Sequence, residues 1–367
     1  MTKTTNWFRR RTVSLVVGIG VGMATASPMT TSAMAVDSSA TTGWRIVHRH
    51  VTPQSFSFYD AVAAADSTHA WAVGGSGSAG LGNPLAGYWH HGRWATTAMP
   101  ASAVGTILAV STDGPTDAWA VTVGDVLHWH RGHWTIAKTF SLRGGPPDPQ
   151  PTGITAFSPT NVWVFGGTGY WAGLGTWHLH GRTWSKMTGA GRNIFEASAL
   201  SPRSMWAIGG SNGQSILRYA NGRWRELTNP ALTGLRFDGI VARSATDVWV
   251  TATKADNSTG SRLLHLQGTH WTAHRIPWQV QLRVLTSVTA GGGLSPDGLG
   301  GFWFPTQSLK SPFWMLHFRA GKWSRVRLTS LIERPALIPG TKSLWATGEI
   351  QKSTSSIGTI WAHGRLG

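Results

Sequence analysis

One phrase recurs along this chain, and it constrains the fold more than any other feature. A tryptophan leads a short apolar run in Ala70-Trp71-Ala72-Val73-Gly74, Ala118-Trp119-Ala120-Val121 and Val162-Trp163-Val164-Phe165-Gly166. It returns in Met205-Trp206-Ala207-Ile208-Gly209, Val248-Trp249-Val250, Phe302-Trp303-Phe304 and Leu344-Trp345-Ala346. Successive tryptophans stand roughly 42 to 54 residues apart, the spacing of four-stranded propeller blades.

Each unit repeats one internal order. An alternating apolar strand comes first, as in Tyr59 to Ala64 or Ile194 to Leu200, and a tight turn follows, as in Ser158-Pro159-Thr160-Asn161. The Trp-led strand is next, then a variable glycine-rich loop. A third strand carries Trp89, Trp129, His178, Tyr219, His265, Phe318 or Trp361. A dipeptide ending in glycine then turns the chain: His91-Gly92, Arg131-Gly132, His180-Gly181, Asn221-Gly222, Gln267-Gly268, Ala320-Gly321 and His363-Gly364. Glycine supplies the positive φ that a two-residue hairpin requires. A second tryptophan (Trp94, Trp134, Trp184, Trp224, Trp271, Trp323) opens the fourth strand.

The seventh unit stops after Gly364 without its fourth strand, whereas Gly43-Trp44-Arg45-Ile46-Val47 near the other end reads as that strand. The expectation is an all-β, seven-bladed β-propeller closed by its N-terminal strand, a ring without open sheet edges. Residues 1–35 read as an export signal peptide: Arg9, Arg10 and Arg11 precede an apolar stretch, and Ala33-Met34-Ala35 offers small residues for cleavage. Residues 36–43 are a short linker and 44–367 the propeller. The chain is expected to be secreted, with no membrane span once the signal is removed. It has no cysteine, which excludes disulfides and thiolate chemistry, so stability must come from packing.

The units from Trp119 to Trp134 and from Trp206 to Trp224 resemble tectonin-type repeats, which run from a Trp-led strand through Gly-x-Trp. The whole pattern is similar to the secreted WAVG-repeat propellers of actinobacteria. The resemblance implies a lectin-like, carbohydrate-binding role and carries no binding residue with it, because the matched positions are packing positions.

Function is therefore sought where the repeat breaks. Tyr170 and Trp171 share a loop with no counterpart in other units, and Trp278 is also irregular. Arginines precede or open the first strands of later units at Arg192, Arg236, Arg283 and Arg334. Together they are expected to form a basic arc at one mouth of the channel, able to hold carboxylate, phosphate or sulfate. The nearby acids Asp60, Glu196, Asp238 and Glu333 offer these arginines ion pairs instead. The pairs His128/His130 and His178/His180 each alternate onto one face, but no acidic partner recurs beside them, so no metal site is expected.

No nucleophile elbow, His-Glu-x-x-His or phosphate loop is present, and no catalytic residue and no cofactor are expected. Of 32 basic residues four fall in the signal, leaving 28 against 15 acidic ones. That excess attracts polyanions at long range. The expected partner is a glycan or anionic cell-wall polymer, recognised without catalysis. A polysaccharide lyase or hydrolase and a protein-interaction subunit of a secreted assembly are the alternatives. Nucleic acid is disfavoured because no basic stripe with stacking aromatics occurs.

Overall fold

In the computed structural model, the described residues are 43–52, 55–77, 82–140, 151–166, 174–210, 213–255, 260–278, 293–306 and 312–366. They form seven four-stranded antiparallel sheets. Six sheets take consecutive strands, innermost first; blade 1, for example, runs Phe56–Ala64, Ala70–Gly77, Asn83–His90 and Arg93–Thr96. The inner strands of blades 2 to 6 are Ile107–Gly114, Pro151–Ser158, Ile194–Ser201, Leu235–Ser244 and Ser295–Pro296.

Blade 7 is assembled from both ends of the propeller. Leu331–Leu337, Leu344–Gln351 and Ser356–His363 supply three strands, and Arg45–His50 adds the outermost. Arg45 pairs with Ala362 and Ile46 with Trp361. The Arg45 guanidinium donates to the Gly364 carbonyl at 2.8 Å, and the Trp44 ring meets Trp303 edge-on at 5.8 Å. The sequence-based closure is observed.

Seven hydrophobic clusters lie one at each interface between neighbouring blades. The leading tryptophan of one blade fills the gap against the third and fourth strands of the next. Trp345 meets Trp89 at 4.9 Å and Trp94 at 5.1 Å, and Trp163 meets Tyr219 at 5.1 Å. Each such indole is buried, and truncating one to alanine costs on the order of 3–5 kcal/mol. The repeated tryptophans are framework.

Two details of the repeat differ from the sequence reading. The third-strand series mixes two faces: Trp71 lies opposite Tyr88, Trp119 opposite His128 and Trp163 opposite His178, whereas Trp89 and Trp129 lie opposite Ala70 and Ala118. A one-residue offset reverses the face of a strand side chain, so His178 and His265 are counterparts of Tyr88 and His128. The hairpins also divide. His91, Arg131, Asn221 and Ala320 share positive φ with the glycine that follows, but in blades 3 and 5 the turn opens on Gly181 and Gly268.

The glycine ending the phrase has a steric cause. A Cβ at Gly74 would overlap the Phe58 carbonyl oxygen, and one at Gly348 the Leu331 carbonyl oxygen. Inner and second strands approach closest there, beside a β-bulge that recurs around the ring.

Candidate functional site

The bulges place the axial residues. In blades 1 to 5 and 7 the residue three beyond the leading tryptophan pairs with Tyr59, Ile107, Pro151, Ile194, Phe237 or Ile332. Two inner-strand residues then stand against one on the second strand, which re-aims their side chains. The first is Asp60, Leu108, Thr152, Phe195, Asp238 or Glu333, and the second is Ala61, Ala109, Gly153, Glu196, Gly239 or Arg334. Asp60 and Asp238 thus share a level, and Glu196 stands one residue further along.

A cavity of about 170 Å³ is lined by the second of these residues from blades 1, 2, 3, 4 and 7, together with Gly293 and Leu294 of blade 6. Alanine and glycine pave most of that level, so Glu196 and Arg334 are the charged side chains facing the space. Burial pulls the Arg334 pKa down, and the carboxylates of Glu196 and then Asp60 oppose it. Its Nε is buried without a hydrogen-bond partner among the described residues. Glu196 Oε1 accepts the Ile240 amide of the neighbouring blade at 3.2 Å. Ser111 accepts from Ala156 and Ser198 from Ala242 in the same blade-to-blade way.

The described arginine candidates hold different positions along their strands. Against the aligned ring residue Ile194, Phe237 or Ile332, Arg192 falls two residues before, Arg236 one before and Arg334 two after. Of Arg192 only the backbone is described, in the turn Gly189–Arg192. Arg236 sits in Leu235–Ser244, and Arg283, Tyr170 and Trp171 lie outside the described residues. Trp278 packs at the interface of blades 5 and 6, where the Arg325 guanidinium lies 4.8 Å from its ring and 4.2 Å from Trp314. Of the four arginines expected in the arc, Arg334 is the one lining the cavity.

A second arrangement escaped the sequence reading. The histidine facing the leading tryptophan stacks on it at 4.0 Å in blades 2 and 3, 3.8 Å in blade 5 and 4.1 Å in blade 6. Each imidazole Nε2 donates to an oxygen: Asp117 at 2.7 Å, Asn161 at 3.0 Å, Asp247 at 2.9 Å and Asp297 at 2.8 Å. An acidic partner therefore does recur, contrary to expectation. It lies 11 to 20 residues away and is reached only across paired strands. Burial would raise Asp297, but the hydrogen bonds from His317, Leu299 and Gly301 hold it below the usual carboxylate range. These stacks pin the second strand to the third.

Known structures share the fold. The chain aligns with YCF48 bound to D1 peptide at TM-score 0.60 and 13% identity, over 88% of this chain and 97% of that one. The WD40 repeats of RRP9 align at 0.57 and 10%, over 88% and 97%. The extracellular domain of a putative one component system, BT4673 from B. thetaiotaomicron, aligns at 0.56 and 11%, over 84% of this chain and 41% of that one. The common element is the β-propeller. No protein-family model matches the sequence, and no curated protein matches it. Among the described residues no helix is long and apolar enough to cross a membrane.

Proposed function

We propose that this chain is a secreted, non-enzymatic binding propeller whose axial cavity receives an acidic sugar of a glycan or cell-surface polymer. The observation that carries this reading is Arg334: a guanidinium set deep at the axis, with Nε unpartnered, above a floor of alanine and glycine. A buried donor of this kind favours an anion that can meet it in two hydrogen bonds. Glu196 shares the cavity and rejects a bare anion, but its carboxylate accepts hydroxyls. A uronate presents a carboxylate to one and hydroxyls to the other, which sulfate does not. The volume suits one such residue of a polymer rather than a large cofactor.

Hydrolysis finds less support. Two carboxylates flanking a bond are needed, and the described cavity lining presents one, Glu196. The test is binding of the full chain to polyuronate and to an uncharged polysaccharide. Arg334→Ala should weaken polyuronate binding about 10- to 100-fold, with Arg334→Lys intermediate because the bidentate fork is lost. Equal binding of both polymers, or an unaffected Arg334→Ala variant, would overturn the reading.

A protein partner is the second reading, favoured by the similarity in fold to YCF48, whose structure holds D1 peptide. An acidic peptide competing with polyuronate only in the protein with Arg334 would transfer the axial site to that partner.

A further inference from the structure

Blade 2 brings a carboxylate and two imidazoles to one point, with ligand atoms within 4.8 Å of one another, which no other group of the described residues does. Asp117 and Trp119 share one face of the second strand, Asp117–Thr122; His128 and His130 share the facing side of the third, Asp125–His130. His128 Nε2 lies 2.7 Å from Asp117 Oδ1, and His130 Nδ1 lies 3.1 Å from both carboxylate oxygens. Asp113, near the end of the inner strand, lies within electrostatic reach of Asp117 and His128. None of these residues lines the axial cavity.

We propose that Asp117, His128 and His130, with Asp113 beside them, bind one divalent transition-metal ion of zinc-like character.

The other blades separate the stacking role from this one. Holding the tryptophan needs one imidazole and one acceptor, which blades 5 and 6 supply as His265–Asp247 and His317–Asp297. The residue directly across from Asp247 is Gln267, and the residue two beyond His317 is Arg319. Blade 3 has the second imidazole, His180, but Asn161 replaces the acid. Among the described residues, only in blade 2 do a carboxylate and two imidazoles bring their ligand atoms within 4.8 Å of one another.

Asp113 is the independent observation. Both its carboxylate oxygens are buried and lack a hydrogen-bond partner among the described residues. A buried carboxylate without a donor is costly and calls for a counter-charge. A divalent cation held by Asp117, His128 and His130 would supply it from close by.

The geometry agrees. The ligand atoms of Asp117, His128 and His130 lie within 4.8 Å of one another, and bonds of about 2.1 Å to a tetrahedral ion put ligands about 3.4 Å apart. Opening the 2.7 Å and 3.1 Å contacts to that spacing, by about 0.7 and 0.3 Å, makes room for the ion. Each imidazole then turns the nitrogen that faces Asp117 to the ion, its N–H proton moving to the other ring nitrogen. Two nitrogen ligands favour zinc-like ions over calcium or magnesium, which prefer oxygen throughout. The His130 side chain is 47% exposed, leaving the solvent side open for an anionic group.

The test uses the full chain without a histidine tag, titrated with Co2+ and then Zn2+ and followed by the visible absorption of four-coordinate cobalt. Thermal unfolding is measured in parallel. One Co2+ should bind per chain and be displaced by Zn2+, and Zn2+ but not Ca2+ should raise the Tm. His130→Gln removes an exposed ligand, and Asp113→Asn removes a charge at constant size. Each should weaken Co2+ binding by at least about 10-fold. His180→Gln, the matching change in blade 3, should leave it unchanged. Undiminished binding in His130→Gln, or equal losses in His130→Gln and His180→Gln, would overturn the site.

Discussion

At the residue scale, histidine divides by environment. The pKa of His48 falls to about 4 through burial and then the charge of His50, and that of His178 falls to about 4 through burial and then His180. Both are neutral in the folded chain where the unfolded chain, near 6.5, is already taking up protons. Unfolding therefore binds protons between about 4 and 6.5, and stability rises with pH through that window. These two groups contribute fully above pH 6.5, and their contribution is gone by about pH 4. The Tm should be flat above pH 7 and fall on acidification across this range. His48→Gln and His178→Gln should each flatten part of the slope in a calorimetric pH series. An unchanged slope in the double variant would assign the acid sensitivity elsewhere.

At the element scale, the strand Arg45–His50 is the closing piece of blade 7. It covers the edge of Ser356–His363, and Trp44 and Ile46 pack into the cluster between blades 6 and 7. A second tie joins blade 7 to blade 1, where Gly358 donates to Ser57 Oγ at 3.0 Å and Ser356 Oγ to the Ser57 carbonyl at 2.8 Å. Deleting residues 43–50 should leave that edge unpaired, and an unpaired, flat edge recruits other chains. Size-exclusion chromatography should show oligomers or aggregate, and a synthetic peptide of residues 43–52 should restore the monomer. A deletion variant that stays monomeric would mean that the ring does not depend on this strand.

The same element shows what was legible in sequence. Its closing role could be read because Trp44 repeats the fourth-strand tryptophan of six other units. The bulges could not. Asp60, Leu108, Thr152, Phe195, Asp238 and Glu333 share a place in the ring but no chemistry, so no residue pattern marks it. Without the bulge, Arg236 and Arg334 look equivalent, although three residues of register separate them. The Asp–His stacks were hidden for a related reason: Asp117 and His128 meet through strand pairing, and their sequence distance carries no period.

At the scale of the whole molecule, two sources of anion affinity compete. One is diffuse: the excess of basic residues over acidic ones, much of it exposed on outer strands such as Arg223–Glu226 and Lys322–Leu328. The other is the axial Arg334. Salt separates them, because each cation that displaces condensed counterions from a polyanion adds about one unit to the slope of log affinity against log salt. If the surface dominates, polyuronate binding should have a steep slope, and Arg334→Ala should barely move either slope or affinity. If the axis dominates, Arg334→Ala should lower affinity about 10- to 100-fold while reducing the slope by about one, since a single charged contact is lost. Triple replacement of Lys322, Arg325 and Arg327 by glutamine should then flatten the slope further without abolishing binding. Measured by titration from low to physiological salt, the opposite ranking of the two variants would move the recognition surface from the axis to the outer rim.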